Sequence, residues 1–471
     1  MKLLLALLLV LCMAFPAQAR NPLDFHLVKL NGTESGPTLL VVGGIQGDEP
    51  GGFNAAGMLA SNYTIRKGSV WVVPNLNFPS IIARSRGGFG DMNRKFAALH
   101  KDDPDYTTIQ RIKEIILDPQ VDFVLNLHDG SGFYRPAWES ETRNPKRWGQ
   151  CVIIDQTAIG AQPFGNLEEM ALAAVSDANN ALLIPGHAYH LKNTRTNEGD
   201  AEMEKTLTYF AITNGKPAFG VEASKEFKTA TRAYYHIRVL ESFMRQAGIE
   251  YERDFVLTPE GLEAAMNRNL HLAFHNGKLS LDMQDIRSVL RFVPLNRNAE
   301  REFSSSKPLL TMVNNGNAYR VYYGNTHLTQ LVPQYFDFDD SLNALTILVD
   351  GKPHNATVGS IVPVGNVFEV AAQEGYRVNV IGYTHPRLTN EVDIPIRKAD
   401  FLPGYSVDNA ETHYRVEVYR GEKFAGMVMV RFDEAAAAAL NNNNAAPRTE
   451  DGAPAQDLAG NGADSNDTLG W

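Results

Sequence analysis

At 471 residues the chain is too long for one ordinary domain, and at roughly 150 residues per domain it points to about three. Hydrophobic residues make up 44 % and charged residues 21 %, which argues for a globular protein and against a disordered or membrane-embedded one. Acids outnumber bases by 54 to 44, so nucleic acid is not an expected partner.

The N-terminus reads Met1-Lys2, then an apolar run from Leu3 to Phe15, then Pro16-Ala17-Gln18-Ala19 before Arg20. A positive start, a short apolar core and an A-x-A box predict a secretory signal peptide over 1–19, cleaved after Ala19. The run is too short for a membrane anchor, which needs ~20 residues. Leu11, where a small residue is required, argues against a lipoprotein box at Cys12. Cys12 leaves with the signal and Cys151 remains alone, so no intrachain disulfide is expected. The expectation is a periplasmic protein with no membrane span after signal removal, its oligomeric state left open.

From 20 to 250, apolar strand-like runs (Phe25 to Leu30, Thr38 to Val42, Ser69 to Val73, Phe123 to Leu127, Val152 to Ile154, His187 to Leu191, Ala218 to Val221) alternate with helical stretches. The latter are Gly51 to Ser61, Thr107 to Leu117, Asn166 to Leu182, Ala201 to Asn214 and Thr229 to Gln246, with apolar residues three and four apart. The pattern predicts an α/β domain with a mixed sheet. Over 251–342, a helix at Pro259 to Asn267 gives way to short alternating runs divided by Asn-Gly and Gly-Asn turns, predicting a small, mostly β domain. Sharper alternation over 343–434 predicts an immunoglobulin-like β-sandwich. The Ala-, Asn- and Gly-rich remainder, 435–471, cannot bury enough apolar surface to fold and is expected to be a disordered tail.

Four stretches of the first domain carry chemistry. The strand ending at Val42 empties into Gly43-Gly44-Ile45-Gln46-Gly47-Asp48-Glu49, placing polar groups at the carboxyl edge of a sheet, where α/β enzymes bind ligands. Gln46 and Glu49, three apart, can turn their oxygens to one metal ion; alone, the stretch is equally a strand-to-helix turn with a capping acid. The second stretch holds Arg86 and Asn93-Arg94 in an acidic protein. Arginine forks grip carboxylates, so Asn93-Arg94 suits a terminal carboxylate and Arg86 an oxyanion, unless the segment is merely a solvated basic loop. Third, His128 ends the apolar strand Val124 to Leu127 and is a candidate third ligand, or a hydrogen-bonded core histidine. Fourth, Glu222 ends the apolar strand Ala218 to Val221. Desolvation there would raise its pKa and suit it to act as a general base, unless it is a structural carboxylate.

In this order, Gln46-x-x-Glu49, Arg86, Asn93-Arg94, His128 and Glu222 resemble the zinc carboxypeptidase family of carboxypeptidase A type over residues 20–250. The family loop reads His-x-x-Glu, and Gln46 stands in the histidine's place. A Gln-Glu-His set, an export signal and two β domains behind the catalytic one are similar to the peptidoglycan D,L-carboxypeptidases that determine cell shape in helical bacteria.

That resemblance implies one Zn²⁺ per chain on Gln46, Glu49 and His128, Glu222 as general base, Arg86 at the oxyanion and Asn93 with Arg94 on the substrate carboxylate. It also implies removal of meso-diaminopimelate from peptidoglycan muropeptides, with Trp148 and Thr208 lining the pocket. The family's mobile tyrosine is not assigned between Tyr134 and Tyr209. Two rivals remain: a deacylase of aspartoacylase or succinylglutamate desuccinylase type, against which the export signal argues, and a catalytically silent cell-wall binding protein.

Overall fold

A computed structural model describes residues 21–443 apart from 162, 386 and 387. The expected signal segment 1–19 and the tail beyond Asn443 lie outside the described residues. Among those described, no helix is long and apolar enough to cross a membrane.

The first domain is built on one mixed sheet. Its strands are β1 (Val28–Asn31), β2 (Glu34–Val42), β3 (Tyr63–Val73), β4 (Phe123–Gly130), β5 (Cys151–Ile154), β6 (His190–Asn193), β7 (Ala218–Ser224) and β8 (Glu250–Arg253). They lie in the order β1-β3-β2-β4-β7-β5-β6, with β8 also on β3. The inner strands β3, β2, β4 and β7 run parallel, which puts their carboxyl ends on one edge. Every residue of β4 and β7 is buried, as expected of strands covered on both faces. The covering helices are α1 (Pro50–Asn62), α2 (Phe78–Ala83), α3 (Tyr106–Ile116), α4 (Leu167–Asn179), α5 (Leu207–Thr213) and α6 (Thr229–Gln246).

Some expected boundaries shift for local reasons. The helix expected from Ala201 begins only at Leu207, because the Thr206 hydroxyl accepts from Tyr209 N and sets the cap there. The run expected from His187 becomes a short turn at Pro185–His187 followed by β6. The run expected from Phe25 starts as a strand at Val28.

Behind the α/β domain come a helix at Pro259–Asn267 and two small sheets. One contains His271–Phe274 and Leu279–Asp282; the other contains Val289–Leu295, Leu310–Asn314, Tyr319–Tyr323 and Thr326–Tyr335. One hydrophobic core runs unbroken from the α/β domain through this β segment. A second core lies within 342–437, between two four-stranded sheets: Val349 and Phe368 come from one, Val416 and Val430 from the other.

The expected disordered tail from 435 needs correction at its start. Residues Glu434–Asn443 form a helix. Asp433 caps it by accepting from Ala436 N, Ala437 is buried against the second core, and Asn441 bonds His354. One well-placed alanine and a cap anchor a segment that composition alone reads as unable to fold.

Candidate active site

The fully buried run Leu39 to Val42 delivers the loop after β2 to the carboxyl edge. The loop's path depends on glycine. Gly44 has φ of +69°, and a Cβ on Gly47 would lie 2.0 Å from the Ser80 carbonyl in α2. Glu49 then stands at the start of α1 without making a side-chain cap, with Pro50 beginning the helix. The capping reading of this acid therefore does not hold, and its carboxylate turns into the site.

There it meets the other two candidate ligands. His128 Nδ1 lies 3.0 Å from Gln46 Oε1 and 2.9 Å from Glu49 Oε2, with all three side chains buried. A neutral imidazole can present one proton at most to two oxygens, so these groups around one point have donor character left for a cation. One nitrogen and two oxygens suit a divalent metal. The described residues hold no metal-ligand cluster made only of His, Cys, Asp and Glu; the third member here is an amide.

Asp91 determines which end of that amide faces the ligands. It accepts from Gln46 Nε2 at 2.7 Å, which turns Oε1 toward His128, and it also accepts from Arg86 Nε at 2.9 Å and Asn93 N at 3.0 Å. Burial pushes the Asp91 carboxyl up, but these donors together hold it below its ordinary value. Arg86 reaches Glu49 as well, at 3.4 Å, so one guanidinium ties both carboxylates.

His128 and Glu222 are register partners on the adjacent parallel strands β4 and β7, which is why they end side by side. Glu222 is 8 % exposed, and its Oε2 is buried with no hydrogen-bond partner. Burial, with the negative charges of Glu49 and Asp129 beside it, holds its carboxyl well above the usual range. That is the setting of a proton-accepting group awaiting a partner.

A cavity of about 250 Å³ unites these groups. Gln46, Glu49, Arg86, Asn93, Arg94, His128, Trp148, Thr208 and Glu222, every site residue expected from sequence, line it. Asn93 spends its Oδ1 on Leu207 N at 3.0 Å, leaving Nδ2 toward the cavity near His128. Tyr134 and Tyr209 do not line it.

Three contributors carry no sequence signal of their own. Lys225, one residue past β7, bonds Asp48 at 2.7 Å and lies 3.8 Å from Glu49. Asp129 accepts from Gly51 N, Arg232 and His236 and so clamps the start of α1 behind the ligands. Asp91 sits two residues before Asn93; a polar residue ahead of Asn-Arg was its only trace.

Comparison with known proteins completes this description. A family model described as carboxypeptidase controlling helical cell shape, catalytic, matches residues 1–267, and one described as C-terminal domain of metallo-carboxypeptidase matches 338–433. The chain is similar to the product-bound cell shape determinant protein Csd4 from Helicobacter pylori, at 40 % identity and a TM-score of 0.81 over 87 % of this chain and 100 % of that one. It is similar at the same identity and TM-score to the mDAP-bound form of Helicobacter pylori Csd4, described as a D,L-carboxypeptidase, over 86 % of this chain and 100 % of that one. A curated relative, N-alpha-acetyl-L-2,4-diaminobutyric acid deacetylase of Halomonas elongata, is 36 % identical over 103 residues, which span 20 % of this chain and only 29 % of that relative's length.

Proposed function

The chain belongs to the carboxypeptidases controlling helical cell shape, and from that membership we propose that it is a periplasmic metallo-D,L-carboxypeptidase that trims peptidoglycan stem peptides. It removes the C-terminal meso-diaminopimelate from muramyl tripeptides and leaves dipeptides. The observation that carries this reading is the cavity in which Gln46 and Glu49 converge on His128, and which is also lined by Glu222, whose Oε2 is buried without a hydrogen-bond partner.

Gln46, Glu49 and His128 would hold one zinc ion. A bound zinc ion supplies Lewis acidity toward a peptide carbonyl and makes water easier to deprotonate. Arg94 and the Asn93 amide hold the free C-terminal carboxylate, fixing which peptide bond lies at the centre. Glu222 accepts the proton of the attacking water and returns it to the leaving amine, a task its raised pKa suits. Arg86, on the cavity wall beside Glu49, stabilises the developing oxyanion. Trp148 and Thr208 shape the pocket for the released side chain.

The same reading divides the chain into a signal peptide over 1–19, a catalytic domain over 20–250, a small β domain over 251–342 and an immunoglobulin-like sandwich from 343. Against a deacylase of aspartoacylase or succinylglutamate desuccinylase type, the 103-residue match to a deacetylase leaves most of the chain without a counterpart. A silent wall-binding protein would have no use for the unpartnered Glu222 carboxylate. Mass spectrometry of muropeptides digested with zinc-reconstituted protein decides among the three. Loss of the terminal residue from tripeptides, abolished by Glu222→Ala, is expected; cleavage that survives this substitution refutes the mechanism, and no cleavage by the unaltered chain refutes the activity.

A further inference from the structure

Trp148 lines the cavity, and a cation is seated against its ring. Lys192, on β6, places Nζ 3.7 Å from the centre of the Trp148 ring and 4.6 Å from that of Tyr134, within the reach at which an aromatic face attracts a cation. The same Nζ donates to the Pro145 carbonyl at 3.2 Å and to the Arg147 carbonyl at 3.1 Å. These partners are neutral, although Lys192 is only 9 % exposed. Burial lowers the pKa of its ammonium, while Cys151 and Glu222 raise it. Lys192 does not itself line the cavity; its register partner on β5, Ile153, does.

These contacts do two things. They tie down the turn that leads into Trp148, whose other supports are Gly130 and Cys151: a Cβ on Gly130 would come 2.6 Å from Trp148 Cβ, and the Cys151 thiol donates to the Trp148 carbonyl at 3.0 Å. They also put a buried positive charge one ring away from the ligand space. Away from water such a charge is felt over several ångströms. A ligand ammonium brought against this ring meets like charge, and a carboxylate meets opposite charge. Ile153, Met203, Thr206 and Thr208 also line the cavity and bring no charge of their own.

Resting on the carboxypeptidase reading, we propose that Lys192 is a positioning residue that acts through Trp148: it holds the indole as a wall of the cavity and makes that wall prefer a carboxylate to an ammonium in the side chain of the C-terminal residue. Of the two charged groups at the far centre of meso-diaminopimelate, the carboxylate is the one drawn to Trp148. Lysine, which offers only the ammonium, is rejected.

The test uses the zinc-loaded full chain and four tripeptides ending in meso-diaminopimelate, lysine, 2-aminopimelate (carboxylate kept, ammonium removed) and norleucine. Binding of the four free amino acids, measured by calorimetry, runs beside it. The 2-aminopimelate peptide is expected to be preferred over the lysine peptide by about 100-fold in kcat/KM, with norleucine between them and the same order in binding. Lys192→Gln keeps a donor for the two carbonyls and removes the charge. The preference should then fall at least about tenfold, through KM more than kcat, while Lys192→Arg should retain it.

Lys192→Met, which fills the same space without charge, should match the glutamine variant and decides the matter if that variant fails to fold. A lysine peptide cleaved as well as the 2-aminopimelate peptide by the unaltered chain overturns the proposal. So does a preference that survives loss of the charge, whether turnover is unchanged or falls equally for all four peptides. Absence of all cleavage with the binding order intact refutes the carboxypeptidase reading and leaves the selectivity standing.

Discussion

In the proposed metal site, Asp91 is the residue that orients the Gln46 amide. Glutamine offers an oxygen and an NH₂ on one flat group, and the 2.7 Å bond from Nε2 to Asp91 holds the oxygen as the inward end. Asp91→Asn removes the strong acceptor and frees the amide to flip, so zinc affinity is expected to fall roughly 10- to 100-fold, measurable by competition with a chelator. An amide oxygen is also a weaker zinc donor than imidazole, so removal by mild chelation should be complete and reversible on adding zinc.

Glu222 gives a prediction in pH. Its carboxyl is held well above the unfolded value of about 4.3, so the folded chain grips the proton harder than the unfolded one. That contribution is fully present below about pH 4.3 and is lost as pH rises through the folded pKa. Metal-free Glu222→Gln, which never ionises, should therefore melt roughly 2–4 °C above the unaltered chain at pH 7, with the gap closing near pH 4. Gln46, Glu49, His128 and Glu222 were legible because each sits at or just beyond the end of an apolar run, where strand polarity fixes the destination. Asp91, Asp129 and Lys225 were not, because an acid in a polar loop looks the same whether it faces water or an amide.

At the scale of elements, the loop after β2 and α2 are built against each other. A methyl on Gly47 would fall 2.0 Å from backbone that cannot yield without moving α2. Gly47→Ala is expected to cost about 100-fold in kcat/KM, since ligands a fraction of an ångström out of place lose most of their effect, while the melting temperature changes less. A second prediction concerns the helix Glu434–Asn443. Deleting everything after Asp433 uncovers the second core at Ala437 and should lower the melting temperature of 342–433 by a few degrees without altering turnover.

Periodicity found the long elements: α6, Thr229–Gln246, matches its expected span end to end, because eighteen residues carry several turns of apolar spacing. It missed Lys352–Thr357, a polar edge strand whose exposed face has no apolar alternation to detect. It overran at Ala201, where Asp200 binds the backbone of Glu202 and Met203 in a turn and the helix waits for Thr206.

At the scale of the molecule, the β segment behind the α/β domain packs against the helix that follows Glu49. α1 begins directly after Glu49, and every residue from Gly51 to Leu59 is buried. A helix buried all round needs cover on both sides. The sheet covers one, and the β segment closes the other: a Cβ on Gly57 would come 2.6 Å from Leu309, and one on Gly324 would come 2.8 Å from Phe53. Arg84, just after α2, adds a bond to the Asn325 carbonyl. Leu309 is fully buried in the shared core. Leu309→Ala should lower stability by about 2–5 kcal/mol, the usual cost of emptying such a site.

If the segment also buttresses the ligands, the looser seat of α1 will let Glu49 wander, and zinc affinity should drop several-fold in protein that is still folded. Chemical denaturation and zinc competition on the same sample separate the two effects. A large loss of stability with unchanged zinc affinity means that the β segment only covers apolar surface. Parallel losses mean that the catalytic centre extends, mechanically, through one helix into a domain that contributes no ligand to it.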